Sequence, residues 1–152
     1  MLTAAENFGR FVRDISFEAV PEPVIETAKL VFLDAIGVAL AASTSESGRI
    51  AIHMVKALEG QPESQIIGAP WRSPAPTAVL ANGTLAHALD FDETLEEGII
   101  HAGCCVVTTA LAVGEACHSS GKAVLEAAIA GFEVMFKIGI AGPGRFHARH
   151  FR

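Results

Sequence analysis

The sequence predicts an all-α fold, a multi-helix bundle of roughly six helices in one domain over residues 1–152. Apolar residues recur at helical spacing along most of the chain, and only one short segment resembles a strand. The length of 152 residues is that of one ordinary domain. Hydrophobic residues make up 51% of the chain and charged residues 18%, which excludes intrinsic disorder.

Capping signals and apolar spacing predict the first three helices. Thr3 and Glu6 have the spacing of a capping box, in which each side chain satisfies a backbone N–H of the other residue. This predicts a first helix over residues 4–16. Prolines end that helix and begin a second one over residues 23–42, because proline fits the first turn of a helix. A third helix is expected to end at Leu58.

The second half of the chain begins with the strand-like segment, residues 64–68, where two isoleucines lie between turn residues. Three prolines within residues 70–76 predict a loop. Helices are then expected over residues 77–89, 103–118 and 122–140. The last two are apolar on nearly all sides, which is typical of buried helices.

Charge and composition restrict the class of partner. The net charge is −6 and no basic run occurs, so neither nucleic acid nor an anionic membrane is expected as a partner. No signal-peptide pattern or apolar stretch of about 20 residues is present, which predicts a cytoplasmic protein. Three cysteines without a CxxC pattern predict buried free thiols. The apolar excess predicts a covered surface, and we expect a homodimer.

An acidic segment joins two of the apolar helices. Five of the eight residues 90–97 are acidic, and they cannot all be solvated if this segment is internal. His87 precedes the segment and His101 follows it. A histidine beside a carboxylate is a pair suited to proton transfer near neutral pH. His101 also precedes a predicted helix N-terminus, which favours a bound anion such as a substrate carboxylate.

Other interpretations of this segment stay open. Acidic runs are commonly solvated loops. A calcium-binding EF-hand is excluded, because the positions that need Gly and Glu hold Leu95 and His101. A zinc site formed by His87, Asp90 and His101 is a weaker alternative, since no HExxH or Cys/His pairing supports it.

Residues 82–103 carry a resemblance to a known family. The segment N-G-T-L-A-H-A-L-D-F-D-E-T, followed by a histidine, resembles the N-G-x-x-x-H-x-x-D-F-D-D-T block of the MmgE/PrpD family. Residues 31–37 and 130–134 are similar to two further helices of that family, so the resemblance covers essentially the whole chain. The family includes 2-methylcitrate dehydratase, cis-aconitate decarboxylase and iminodisuccinate epimerase.

The resemblance implies a lyase or isomerase domain that acts on a small di- or tricarboxylate by histidine-mediated proton transfer. It implies neither a metal nor an organic cofactor. The active-site Asp, Thr and first catalytic His of the family fall on Asp90, Thr94 and His101. In these roles His101 is the general acid/base and Asp90 orients it or holds it charged. Thr94 then donates a hydrogen bond to a substrate carboxylate.

The chain departs from the family pattern at several positions. Glu93 stands where a second Asp is usual, and Ala102 stands where Pro usually follows the histidine. The second catalytic His of the family maps near Arg152, where His147 or His150 is the candidate. The family's further active-site Lys and Tyr and its α+β lid domain over the cleft are not found in this sequence, so we expect a truncated domain that is inactive alone. The alternative is a non-catalytic helical remnant that mediates self-association.

Overall fold

The computed structural model describes residues 2–58 and 60–142, and within these it contains six α-helices and one two-stranded sheet. The helices are α1 Ala4–Asp14, α2 Glu22–Ala42, α3 Glu46–Lys56, α4 Ala75–His87, α5 Gly103–Ala116 and α6 Gly121–Ala141. The strands β1 Ser64–Gln65 and β2 Arg72–Ser73 pair in antiparallel orientation. The all-α prediction is confirmed, with the sheet as a minor addition.

The N-terminal capping box is formed as predicted. Thr3 N donates to Glu6 Oε2 at 2.7 Å, and Glu6 N donates to Thr3 Oγ1 at 3.2 Å. The helix that follows is shorter than predicted, because it ends at Asp14 rather than Ser16. Ile15 is extended, with φ −63° and ψ 139°, and a short 3₁₀ turn over Phe17–Ala19 then leads to α2.

The segment between α3 and α4 differs from its prediction. The strand is only two residues long, and its partner β2 lies within the predicted proline loop. α4 begins at Ala75, two residues earlier than predicted, with Pro76 in its first turn. Proline costs nothing there because the first N–H groups of a helix have no intrahelical partner.

Two buried clusters form the core. The first joins α2, α3, α4 and the residues after β1 around the fully buried side chains of Val55, Ile66 and Leu85. The second joins α2, α5 and α6 around Phe32 and Val107. α5 takes part in both clusters and packs directly against α4. The loop between α4 and α5 therefore begins and ends on packed helices.

Asn82 and Gly83, the first two residues of the segment that resembles the N-G-x-x-x-H-x-x-D-F-D-D-T block, have structural roles. The Asn82 side chain is buried, accepts a hydrogen bond from Ile67 N and donates one to Gln65 O, both at 2.9 Å. A Cβ at Gly83 would lie 3.1 Å from Cys104 O, so the glycine allows the close approach of α4 and α5. The pair attaches the sheet segment and α5 to α4.

Burial corrects two sequence predictions. Cys104 is half-buried, but Cys105 and Cys117 are exposed, so the prediction of buried thiols is wrong for two of the three cysteines. α5 is not covered on all sides, since Val113 is 47% exposed. Among the described helices, none combines the length and the apolar character needed to cross a bilayer.

Candidate active site

The loop of residues 88–102 carries the acidic segment and is anchored at its far end. Leu95 and Ile100 form an antiparallel bridge, with Leu95 N donating to Ile100 O at 2.9 Å. Gly98 then packs against Gly139 of α6, where an added Cβ would lie 3.4 Å from the α6 backbone. These contacts fold the loop back onto the helices and hold its first half beside the N-terminus of α5.

A buried carboxylate lies at the centre of this loop. Asp92 is the one charged residue among the buried residues of the described chain, and its side chain has no exposed area. Its Oδ1 and Oδ2 lie 3.0 and 3.1 Å from His87 Nδ1, and its Oδ1 lies 3.4 Å from His101 Nδ1. The two imidazole centroids are 5.1 Å apart. One carboxylate thus joins two histidines.

The three site residues predicted from the resemblance lie together. His101 Nε2 is 3.9 Å from Asp90 Oδ1, and His101 Nδ1 is 3.3 Å from Thr94 Oγ1. Asp90 is on the outside of the cluster, with a side chain that is 81% exposed and a backbone φ of 56°. The two candidates for a second histidine, His147 and His150, lie outside the described residues.

The surroundings of His101 distinguish its two nitrogens. Nδ1 faces three oxygen atoms, namely Asp92 Oδ1 at 3.4 Å, Asp92 O at 3.3 Å and Thr94 Oγ1 at 3.3 Å. Two of these can only accept, so they favour a proton on Nδ1. In the neutral ring Nε2 then carries the lone pair, and it lies on the side of the exposed Asp90. The geometry therefore leaves a basic nitrogen at the accessible edge.

Glu93 occupies the N-terminus of α5. Gly103 N donates to Glu93 Oε1 at 2.5 Å, while the N-cap residue, Ala102, forms no side-chain cap. Burial raises the pKa of Glu93 above its ordinary range, although the hydrogen bond from Gly103 opposes this shift. The prediction that this helix end attracts a substrate carboxylate is therefore wrong for the Gly103 N–H, which binds the protein's own carboxylate.

Cys104 lies in the first turn of α5, three residues after His101. Its Sγ donates to His101 O at 3.3 Å. Burial, with the neighbouring Cys105 thiol as the next cause, raises the pKa of Cys104 to about 12. Its thiol is therefore protonated at neutral pH and is not a nucleophile.

The zinc alternative receives geometric support from the same cluster. His87, Asp90, Asp92 and His101 each offer a donor atom, and the four atoms lie within 4.8 Å of one another. Asp92 Oδ1 is itself within hydrogen-bond or ion-pair distance of Nδ1 of each histidine. Metal analysis of the purified protein separates a metal centre from a metal-free proton-transfer site.

Comparison with known proteins gives two findings. A sequence model described as the MmgE/PrpD N-terminal domain matches residues 6–151. Cis-aconitate decarboxylase from Homo sapiens is 27% identical over 143 residues, which cover 92% of this chain and 28% of that relative. The chain thus spans 28% of the length of the curated relative it matches.

Proposed function

The chain belongs to the MmgE/PrpD family, and on that premise we propose that it is the helical part of a cytoplasmic lyase acting on a small di- or tricarboxylate. Similarity to cis-aconitate decarboxylase, whose name states a tricarboxylate substrate, supports this substrate class. One observation carries the chemistry. His101 faces Asp92 and Thr94 through Nδ1 and leaves Nε2 beside the exposed Asp90.

In the proposed mechanism, His101 Nε2 moves a proton at the carbon next to a substrate carboxylate. That step is common to dehydration of a substrate such as 2-methylcitrate, decarboxylation and epimerisation. Asp90 stabilises the imidazolium ion that forms when Nε2 takes a proton, because Asp90 Oδ1 lies 3.9 Å from His101 Nε2 and the Asp90 side chain is exposed. In the free site Thr94 Oγ1 lies 3.3 Å from His101 Nδ1 and its hydroxyl donates a long hydrogen bond to Asp92 O at 3.5 Å; on binding, that hydroxyl turns to donate to a substrate carboxylate.

The test is turnover of 2-methylcitrate, cis-aconitate and iminodisuccinate. We expect negligible turnover by the 152-residue chain alone, and turnover by a polypeptide in which a lid domain follows it. In that polypeptide His101→Ala should lower kcat by about 10²–10⁴, with a smaller change in KM. His53→Ala is the matched control, since His53 is exposed on α3 and its Nδ1 lies 2.7 Å from Arg49 O in the same helix. An unchanged kcat in His101→Ala would refute the mechanism.

A second proposed function is self-association. Several large apolar side chains of α2 and α3 are exposed, among them Leu30 at 65%, Leu33 at 69% and Ile50 at 62%. Leu30 and Leu33 are three residues apart on α2 and so lie on one face of that helix, and an exposed apolar face favours an interaction site. We expect a homodimer in sedimentation equilibrium, and Leu33→Glu should shift it toward monomer. A wild-type chain that is monomeric at all concentrations contradicts this function.

A further inference from the structure

Asp92 is a buried carboxylate whose ion-pair partners among the described residues are two histidines. A buried carboxylate is strongly destabilising unless it is paired with a cation or bound by hydrogen-bond donors. Within the described residues, the ion-pair partners of Asp92 are His87 and His101, and no Lys or Arg lies within ion-pair distance of it. Both histidines face it through Nδ1. The carboxylate therefore favours a proton on the Nδ1 atom of each ring.

We propose that Asp92 is the positioning residue of this site, which holds both imidazoles by Nδ1 and fixes the tautomer of His101. This inference rests on the proposed function of His101. With its proton held on Nδ1, His101 has only Nε2 available for proton transfer. Asp90 does not have this role, because it lies on the Nε2 side and its side chain is 81% exposed. His87 Nδ1 lies within hydrogen-bond distance of both oxygens of Asp92 and so also holds the carboxylate in place.

The direct test is the ¹⁵N NMR spectrum of the histidine rings in the 152-residue chain, since protonated and unprotonated ring nitrogens have different shifts. In the wild type we expect neutral His101 to carry its proton on Nδ1. In Asp92→Asn we expect the Nε2–H form to appear beside the Nδ1–H form, because the neutral amide attracts an Nδ1 proton less than the carboxylate does, while Asp92 O remains as an acceptor. Asp90→Asn is the control, since removal of an acceptor near Nε2 leaves the Nδ1–H form in place.

Two results would overturn the proposal. One is a wild-type His101 that carries its proton on Nε2, which requires no variant to fold. The other is an Asp92→Asn variant, folded by its amide spectrum, in which the His101 tautomer is unchanged.

Kinetics in the lid-containing polypeptide separate this proposal from the proposed function. Asp92→Asn should lower kcat by about 10⁴, the cost of a wrong histidine tautomer in a comparable array. A shifted tautomer in Asp92→Asn combined with an unchanged kcat in His101→Ala would refute the proposed function and leave the tautomer control intact. Loss of kcat in His101→Ala with no tautomer change in Asp92→Asn would refute only the positioning role.

Discussion

Gly103→Ala tests how the site loop is attached to α5. A Cβ at this position would lie 2.1 Å from Glu93 Oε2, whereas such contacts are essentially never shorter than 3.0 Å. Glu93 must therefore move by about 1 Å or more, and its 2.5 Å hydrogen bond from Gly103 N is lost. A hydrogen bond to a charged group contributes about 1.5–3 kcal/mol. The gain in helix propensity from Gly to Ala offsets up to about 1 kcal/mol.

The expected net loss is about 0.5–3 kcal/mol of unfolding free energy, or roughly 1–12 °C in Tm for a domain of this size. Thermal unfolding followed by circular dichroism measures it. The matched control is Gly121→Ala, because Gly121 is also the first residue of its helix and an added Cβ there meets nothing within 4 Å. Equal stability of the two variants would refute the reasoning.

A double-variant cycle identifies the cause of the loss. In a Glu93→Ala background, the side chain that collides with the new Cβ is absent, so Gly103→Ala should cost much less than in the wild type. If Gly103→Ala costs the same in both backgrounds, the contact with Glu93 is not responsible. Because Glu93 lies between Asp92 and Thr94 in the chain, its displacement should also lower kcat if the proposed function holds.

Three further perturbations test other contacts. The raised pKa of Glu93 means that folding disfavours its charged form. The unfolding free energy of wild type, measured in urea, should therefore fall relative to that of Glu93→Gln as pH rises above about 4. A difference between the two that is flat or opposite in sign contradicts this. Asn82→Ala leaves the backbone N–H of Ile67 without its bond and should cost about 1–3 kcal/mol in the same assay. Cys105 is exposed and should react with iodoacetamide much faster than Cys104, whose pKa is raised to about 12. Peptide mass spectrometry measures the two rates, and equal rates would contradict the assigned burial.

The sequence predicted the helices well because each carries a long apolar repeat or a cap that acts locally. The Thr3–Glu6 capping box formed as expected, since its partners are three residues apart. The two-residue strands have too few residues for a periodic signal, and β2 is paired through tertiary contacts within a proline-containing segment. The early start of α4 was missed because proline was taken as a loop signal although it also suits a first helical turn.

The candidate site was predicted in part, because burial of the loop side chains depends on helix packing that the sequence does not show. The resemblance pointed to Asp90, Thr94 and His101, and the structure brings them together. It did not distinguish the exposed Asp90 from the buried Asp92, because two aspartates in a D-F-D run look equivalent in sequence. The available signal was the expectation that the acidic residues could not all be solvated.

The exposure of Phe91 shows what determines this outcome. Phe91 and Asp92 are neighbours in a bent part of the loop, and only one of the two side chains is buried. Hydrophobicity alone would bury Phe91, yet it is 75% exposed and Asp92 is buried. A buried carboxylate needs partners, and Asp92 has two histidines facing it. These histidines are 14 positions apart in the chain, and the packing of α4 against α5 brings them together. Burial of Asp92 is therefore a consequence of the helix packing, and it leaves the neighbouring Phe91 exposed.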